Sequence, residues 1–242
     1  MTNIFKKIRR SSIRGNGFST YLIYALGEIA LVMIGILLAL QVNNWNEKRK
    51  RSRELDNILQ DVKLDLERDT LVAGQIIAFY KISQENSQKI IDGEINADNM
   101  AEYPLTRSLV AAYQPFTIQQ KGFELLKEFK SASVVKKDTL VTEIAQFYTS
   151  YADVLRTSNE FVKEDVFKNL ESFRERSWFV DWSQGRLTED MVAYFTTSKD
   201  YKTRVAAHKI LAIDNHLNTI KSYQLNAKEL LRMIQERLVE TP

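Results

Sequence analysis

YLIYALGEIALVMIGILLALQV, residues 21–42, holds one charge (Glu28), no Pro, and a nearly unbroken set of Leu, Ile, Val, Ala and Met. About 20 such residues in a helix span the ~30 Å of a bilayer's hydrocarbon, so the stretch has the length and composition of a transmembrane helix. Tyr21 and Tyr24 stand at one end and Trp45 just past the other, where amphipathic rings favour the headgroup level. A cleaved signal peptide has a shorter apolar core ending in small residues. This stretch is longer, carries a carboxylate and ends in LLALQVNNW, so an uncleaved anchor is expected.

Charge separates the chain into parts. The net charge is +3 over 242 residues. Lys6, Lys7, Arg9, Arg10 and Arg14 precede the anchor without a single acid, which leaves residues 43–242 close to neutral. A neutral, mixed-sign domain argues against nucleic-acid binding, which needs a basic stripe along its surface, and no nucleic-acid partner is expected. Lys48, Arg49, Lys50, Arg51 and Arg53 follow the anchor closely, so the flanking charges nearly balance. The acid-free tail favours the N-terminus inside and the large domain outside. The expected parts are a basic cytoplasmic tail (1–18), a transmembrane helix (19–45) and an extracytoplasmic helical bundle (46–242). Membrane lipid is the expected surrounding of the second.

The tail places Ile4, Phe5 and Ile8 on one side of a possible turn, as a small amphipathic element or a plain topology signal. Gly15 and Gly17 break it before Ser19 or Thr20 caps the membrane helix. Beyond Trp45, core positions recur in steps of four and three at Leu55, Leu59, Val62, Leu66, Asp69, Ala73, Ile76, Tyr80, Ser83, Ser87 and Ile90. That is a coiled-coil-like seam, so the anchor is expected to continue as a helix to about Ile91, stopped by Asp92-Gly93. Residues 92–105 read as loop, Thr106 caps a short helix ending before Pro115, and a further helix runs from Phe116 to Lys130. SASVVKK is a turn. A long helix capped by Asp138 or Thr139 carries Leu140, Ile144, Phe147, Tyr151 and Val154, then a seam shifted by one residue to Leu155, Val162, Val166, Leu170 and Phe173. A connector turning at Gly185 leads to a short helix, 188–196. The last helix repeats Ala206, Ile210, Ile213, Leu217, Ile220, Gln224, Ala227, Leu231, Ile234 and Leu238. The fold class is therefore all-α: one N-terminal transmembrane helix continuing into an elongated antiparallel helical bundle.

The block Tyr21, Tyr24, Ala25, Gly27, Glu28, Ile29, Leu31, Val32, Ile34, Gly35, Ile36, Leu37, Ala39, Leu40, Gln41, Asn43, Asn44, Trp45 and Asn46 resembles the opening of single-pass membrane proteins common in Bacteroidota that contain a domain of unknown function. Weaker likenesses cover GFELLKEFKSASVVKKDTLVTEIAQFY and KELLRMIQERL. The resemblance implies a Gram-negative inner membrane and a domain in the periplasm. It implies no activity.

Candidate sites are few. At 100° per residue, Glu28, Val32, Gly35 and Ala39 share one face, with Gly35 and Ala39 in small-xxx-small spacing. A carboxylate in hydrocarbon seeks a protein partner, so this face reads as a helix–helix interface with a second copy or another membrane protein; a membrane-edge carboxylate reaching toward the tail is the alternative. Trp178, Phe179 and Trp182 cluster in the connector, either as an aromatic plug of the bundle end or as a partner anchor. His208 and His216, eight residues and about 12 Å apart on a helix, are too distant for one metal and fall off the seam, so they are expected to face solvent. No cysteine is present, which excludes thiol catalysis and zinc–thiolate sites. No nucleophile triad, phosphate-binding loop or HExxH occurs. No catalytic residue, metal or cofactor is expected. The chain reads as a membrane-anchored interaction or scaffold module, with a ligand-sensing bundle acting through a partner as the other reading.

Overall fold

The computed structural model describes residues 17–132 and 138–240. The expected amphipathic tail and most of the SASVVKK turn lie outside them. The chain divides into two compact units, Met1–Leu55 and Asp56–Pro242.

Regular structure among the described residues is helical throughout. Helix α1 is Gly17–Asp92; it includes Gly17, Ser19 and Thr20, so the expected cap at Ser19 or Thr20 lies inside the helix. Two short 3-10 turns follow, Met100–Glu102 and Pro104–Arg107. Next come α2 (Lys121–Ala132), α3 (Thr139–Arg174), α4 (Phe179–Ser183), α5 (Glu189–Thr197) and α6 (Lys199–His208). A π-helical stretch, Lys209–Leu217, joins α6 to α7 (Asn218–Glu240).

In the first unit, α1 carries the apolar stretch. An 18-residue window there reaches a mean hydropathy of 2.4 with no residue buried, long and apolar enough to cross a membrane.

The second unit is a bundle built on the rest of α1, α3 and the helical run 199–240. All eleven seam positions from Leu55 to Ile90 are buried. Asp69, Ser83 and Ser87 are among them, so the four-three spacing marks the core face even where the residue is polar. Gly93, at φ 77°, supplies the left-handed turn that stops α1. On α3, Phe147 and Leu155 are buried as the shifted seam requires, whereas Val154, expected on the seam before the shift, is exposed, so the shift falls before it. Asp138 caps α3 by accepting from the Val141 amide, and Thr188 and Ser198 cap α5 and α6 in the same way.

Directions follow from cross-helix bonds. Tyr151, Ser158, Asp165 and Asn169 of α3 meet Asn226, His216, His208 and Arg204 in that order. Asp69 and Tyr80 of α1 meet Tyr223 and His216. The C-terminal run is thus antiparallel to both α1 and α3.

Three expectations fail. No α-helix forms at 106–114, where the second 3-10 turn ends at Arg107, and α2 starts at Lys121 rather than Phe116; residues 112–120 have no regular secondary structure. Upstream of Ile213 the C-terminal seam slips by one residue. Val205, His208 and Ala212 are buried, whereas Ile210 is 61% exposed. The π stretch is the reason: an i→i+5 turn takes up one more residue than an α turn, so the faces before and after it fall out of phase.

Candidate functional site

The Glu28 face lies in the first unit. Glu28 and Val32 are exposed, and with Ala25, Ile29 and Met33 they line a shallow depression on α1. A Cβ built on Gly35 would meet no atom within 4 Å, so this face, including Ala39, is open to an approaching helix. That is what small-xxx-small spacing provides.

The aromatic trio sits at one end of the bundle. Trp178 is 6% exposed and packs with Phe173, Tyr194 and Phe195. Trp182 is half-buried and donates its indole N–H to the Arg107 carbonyl at 2.9 Å, while the Arg107 guanidinium returns to the Gly185 carbonyl at 3.2 Å. Phe179 stacks on Trp182. The Tyr201 hydroxyl donates to the Thr106 carbonyl. These rings close the space between the α1 end, the 3-10 turns and α5–α6.

The densest polar chemistry is where the irregular segment 112–120 crosses the bundle. A chain without regular structure among helices has neither helix nor ladder bonds, so its amides and carbonyls need other partners. Side chains supply them. Tyr80 accepts from the Gln114 amide at 3.1 Å and donates to its carbonyl at 3.4 Å. Asn159 brackets Phe116, accepting from its amide at 3.0 Å and donating to its carbonyl at 2.7 Å. Asp69 accepts from the Gln119 amide at 2.9 Å, and Asp65 from the Gly122 amide at 2.7 Å. Asp61, one turn earlier on α1, pairs with Lys121. Three carboxylates spaced by four residues on α1 thus receive the start of α2, whose exposed amides and positive dipole end favour them.

Asp69 also accepts from the Tyr223 hydroxyl at 2.7 Å. Burial pushes its carboxyl up to about 6, against the pull of the Tyr223 and Gln119 bonds and with a small push from the Asp65 charge. Burial, and then Asp69, hold the Tyr223 hydroxyl far above the usual tyrosine range. Burial raises Tyr80 to about 12. Tyr148, stacked on Phe123 at 4.7 Å, is also raised by burial, then by Asp65 and Asp69; its buried hydroxyl has no partner among the described residues.

Both histidines are buried, which corrects the expectation of solvent exposure; the π stretch turns His208 toward α3, and His216 already shares the direction of Ile234 on the seam. His216 donates from Nε2 to the Gln114 carbonyl at 3.2 Å and accepts at Nδ1 from Ser158 at 2.9 Å. This tautomer follows because a carbonyl only accepts. Burial holds its pKa below the ordinary histidine value, against the Gln114 bond. His208 donates from Nδ1 to Asp165 at 2.7 Å. Asp165 also accepts from Asn169, whose carbonyl oxygen accepts from Arg204, and Arg204 continues to Asp200. Burial alone would raise the Asp200 carboxyl, but hydrogen bonds from Arg204 and Tyr194 hold it below the usual carboxylate range.

Ser–His and His–Asp pairs are the stock of acid–base catalysis. Here His216 is bonded at both ring nitrogens, and His208 through Nδ1 to Asp165, by the chain's own groups, and these bonds tie segment 112–120 and α3 to the C-terminal run. Among the described residues no group of three His, Cys, Asp or Glu is placed to hold a metal ion. Sequence reasoning missed Asp65 and Asp69. The available signal was an acid on the core face of the seam with no basic residue opposite it.

No curated protein and no solved structure matches the chain. Residues 28–102, from the middle of the apolar stretch to the first 3-10 turn, match a family of unknown function (DUF6090), so this part of the chain carries an uncharacterised domain.

Proposed function

We propose that the chain is a single-pass inner-membrane protein whose anchor pairs with another membrane helix, and whose helical bundle serves as an interaction or scaffold module in the periplasm. The supporting observation is the first part of α1: a fully exposed apolar window of mean hydropathy 2.4, with Glu28, Gly35 and Ala39 on one open face. The partner is a second copy or another membrane protein, held by close backbone approach and a hydrogen bond to Glu28. The compartment rests on the resemblance of residues 21–46 to single-pass proteins of Bacteroidota. The orientation rests on the acid-free tail. No catalytic role is part of this reading.

Crosslinking or co-purification of the full chain from membranes tests it. Gly35→Leu fills the groove and should abolish the complex, whereas Ile36→Leu, about 80° from Glu28, should leave it intact. Equal behaviour of the two variants overturns the interface. A reporter active only outside the cytoplasm, fused after Pro242, should be active; activity of a cytoplasm-only reporter at that place reverses the orientation.

A further inference from the structure

Lys48, Arg49, Lys50, Arg51 and Arg53 are all exposed on α1, and none is ion-paired with an acid among the described residues. At 100° per residue they point to about 0°, 100°, 200°, 300° and 140°, within about 7.5 Å of helix axis. The widest gap between neighbouring cations is therefore about 100°, and long Lys and Arg side chains fill it. A helix packed against another helix needs an apolar stripe at least that wide. This level of α1 has none.

The collar begins three residues past Trp45, whose ring Arg49 overlies at 5.8 Å, at the depth where an aromatic belt meets the headgroups. Glu47 and Glu54 are the only acids between Asn43 and Leu55, so that segment is +3. Arg53 lies eighteen residues, or five turns, beyond Gly35 and so shares its direction. A parallel pair of these helices meeting at Gly35 would bring like charges together at Arg53, unless an anion stood between them.

We propose that Lys48, Arg49, Lys50, Arg51 and Arg53 form a collar that binds anionic phospholipid headgroups around the whole circumference of α1. Helix pairing along the Gly35 face then ends at about Asn46, and lipid headgroups surround the helix from there to Arg53, short of the buried Leu55. Juxtamembrane cation clusters of this size attract acidic leaflets; the ring arrangement distinguishes a lipid-embedded collar from a charged docking face. This rests on the membrane reading above.

The test is reconstitution of the full chain into vesicles of equal phosphatidylglycerol and phosphatidylcholine, flotation after an alkaline wash, and mild-detergent extraction with analysis of retained phospholipid. The expected result is flotation, with phosphatidylglycerol enriched severalfold and the enrichment falling as salt rises. Against a background in which Lys6, Lys7, Arg9, Arg10 and Arg14 are already changed to Gln, the variant with all five collar residues changed to Gln floats without enrichment, and the variant with Arg49→Lys, Arg51→Lys and Arg53→Lys keeps it. In that background, flotation without enrichment before the collar is changed, or enrichment that survives the collar changes, overturns the collar and leaves the membrane anchor standing. Failure to float overturns both.

Discussion

Gly122, at the start of α2, lies so close to α1 that a Cβ added to it would stand 2.4 Å from the Val62 amide nitrogen. The contact is backbone against backbone, and it lets the Gly122 amide reach Asp65 at 2.7 Å. Gly122→Ala should therefore destabilise the protein by about 1–3 kcal/mol, since neither helix can yield without losing that bond. Gly74 makes the contrast. Its added Cβ would meet only the Gln224 amide nitrogen at 3.2 Å, the far end of a flexible side chain. Gly74→Ala in mid-helix should be neutral or stabilise by up to about 1 kcal/mol. Denaturant midpoints of the two variants in detergent check both; equal losses would contradict the account.

Two buried tyrosines near the same carboxylates should respond oppositely to loss of the hydroxyl. Tyr223→Phe leaves Asp69 without its side-chain donor and should cost on the order of 1–3 kcal/mol. Tyr148→Phe removes a buried hydroxyl that has no partner, and should be neutral or slightly stabilising. Thermal unfolding of the pair decides the point.

Asp69 and His216 give opposite pH signs. Asp69 has its folded pKa raised from 3.8 to about 6, so the fold prefers its neutral form. Its contribution is fullest below 3.8 and is lost as pH rises through 6. Asp69→Asn keeps an acceptor for the Gln119 amide without the buried charge. The variant should gain on the wild type at pH 8, by on the order of 1 kcal/mol after allowance for screening, and that advantage should shrink as pH falls through 6 and be gone only below 3.8. His216 is lowered, so its contribution is present above the ordinary value of 6.5 and falls as pH drops through the folded value. Stability curves of wild type and Asp69→Asn across pH 3–8 test the first sign, and ring titration of His216 by NMR tests the second. An Asp69→Asn difference that grows toward acid contradicts the assignment.

How far the sequence reached is visible in these residues. Periodicity located α1 because a core face repeats whatever occupies it, so Asp69 and Ser87 fell on the seam with Leu59 and Val62. The α3 seam shift was legible for the same reason. The irregular segment 112–120 was not: its backbone partners, Tyr80, Asn159, Asp69 and His216, are 34 to 102 residues away, and local pattern carries no trace of them. Pro115 and the alternation of Phe116 with Ile118 were the only local signs. The π stretch was equally hidden, since residues 209–217 read as ordinary helix formers. Without the phase slip, His208 projects away from the seam on a helical wheel, and with it His208 is buried and bonded to α3; His216, eighteen residues before Ile234, shares that seam residue's direction and needs no slip to be buried.

The most direct test of the membrane assignment is alkaline carbonate extraction of membranes from cells making the full chain. Residues 21–42 acting as an uncleaved span predict that the full-length protein stays in the membrane pellet and floats with lipid. Release of the intact chain into the carbonate supernatant would contradict the anchor, and with it the interface at Gly35 and the lipid collar at residues 48–53.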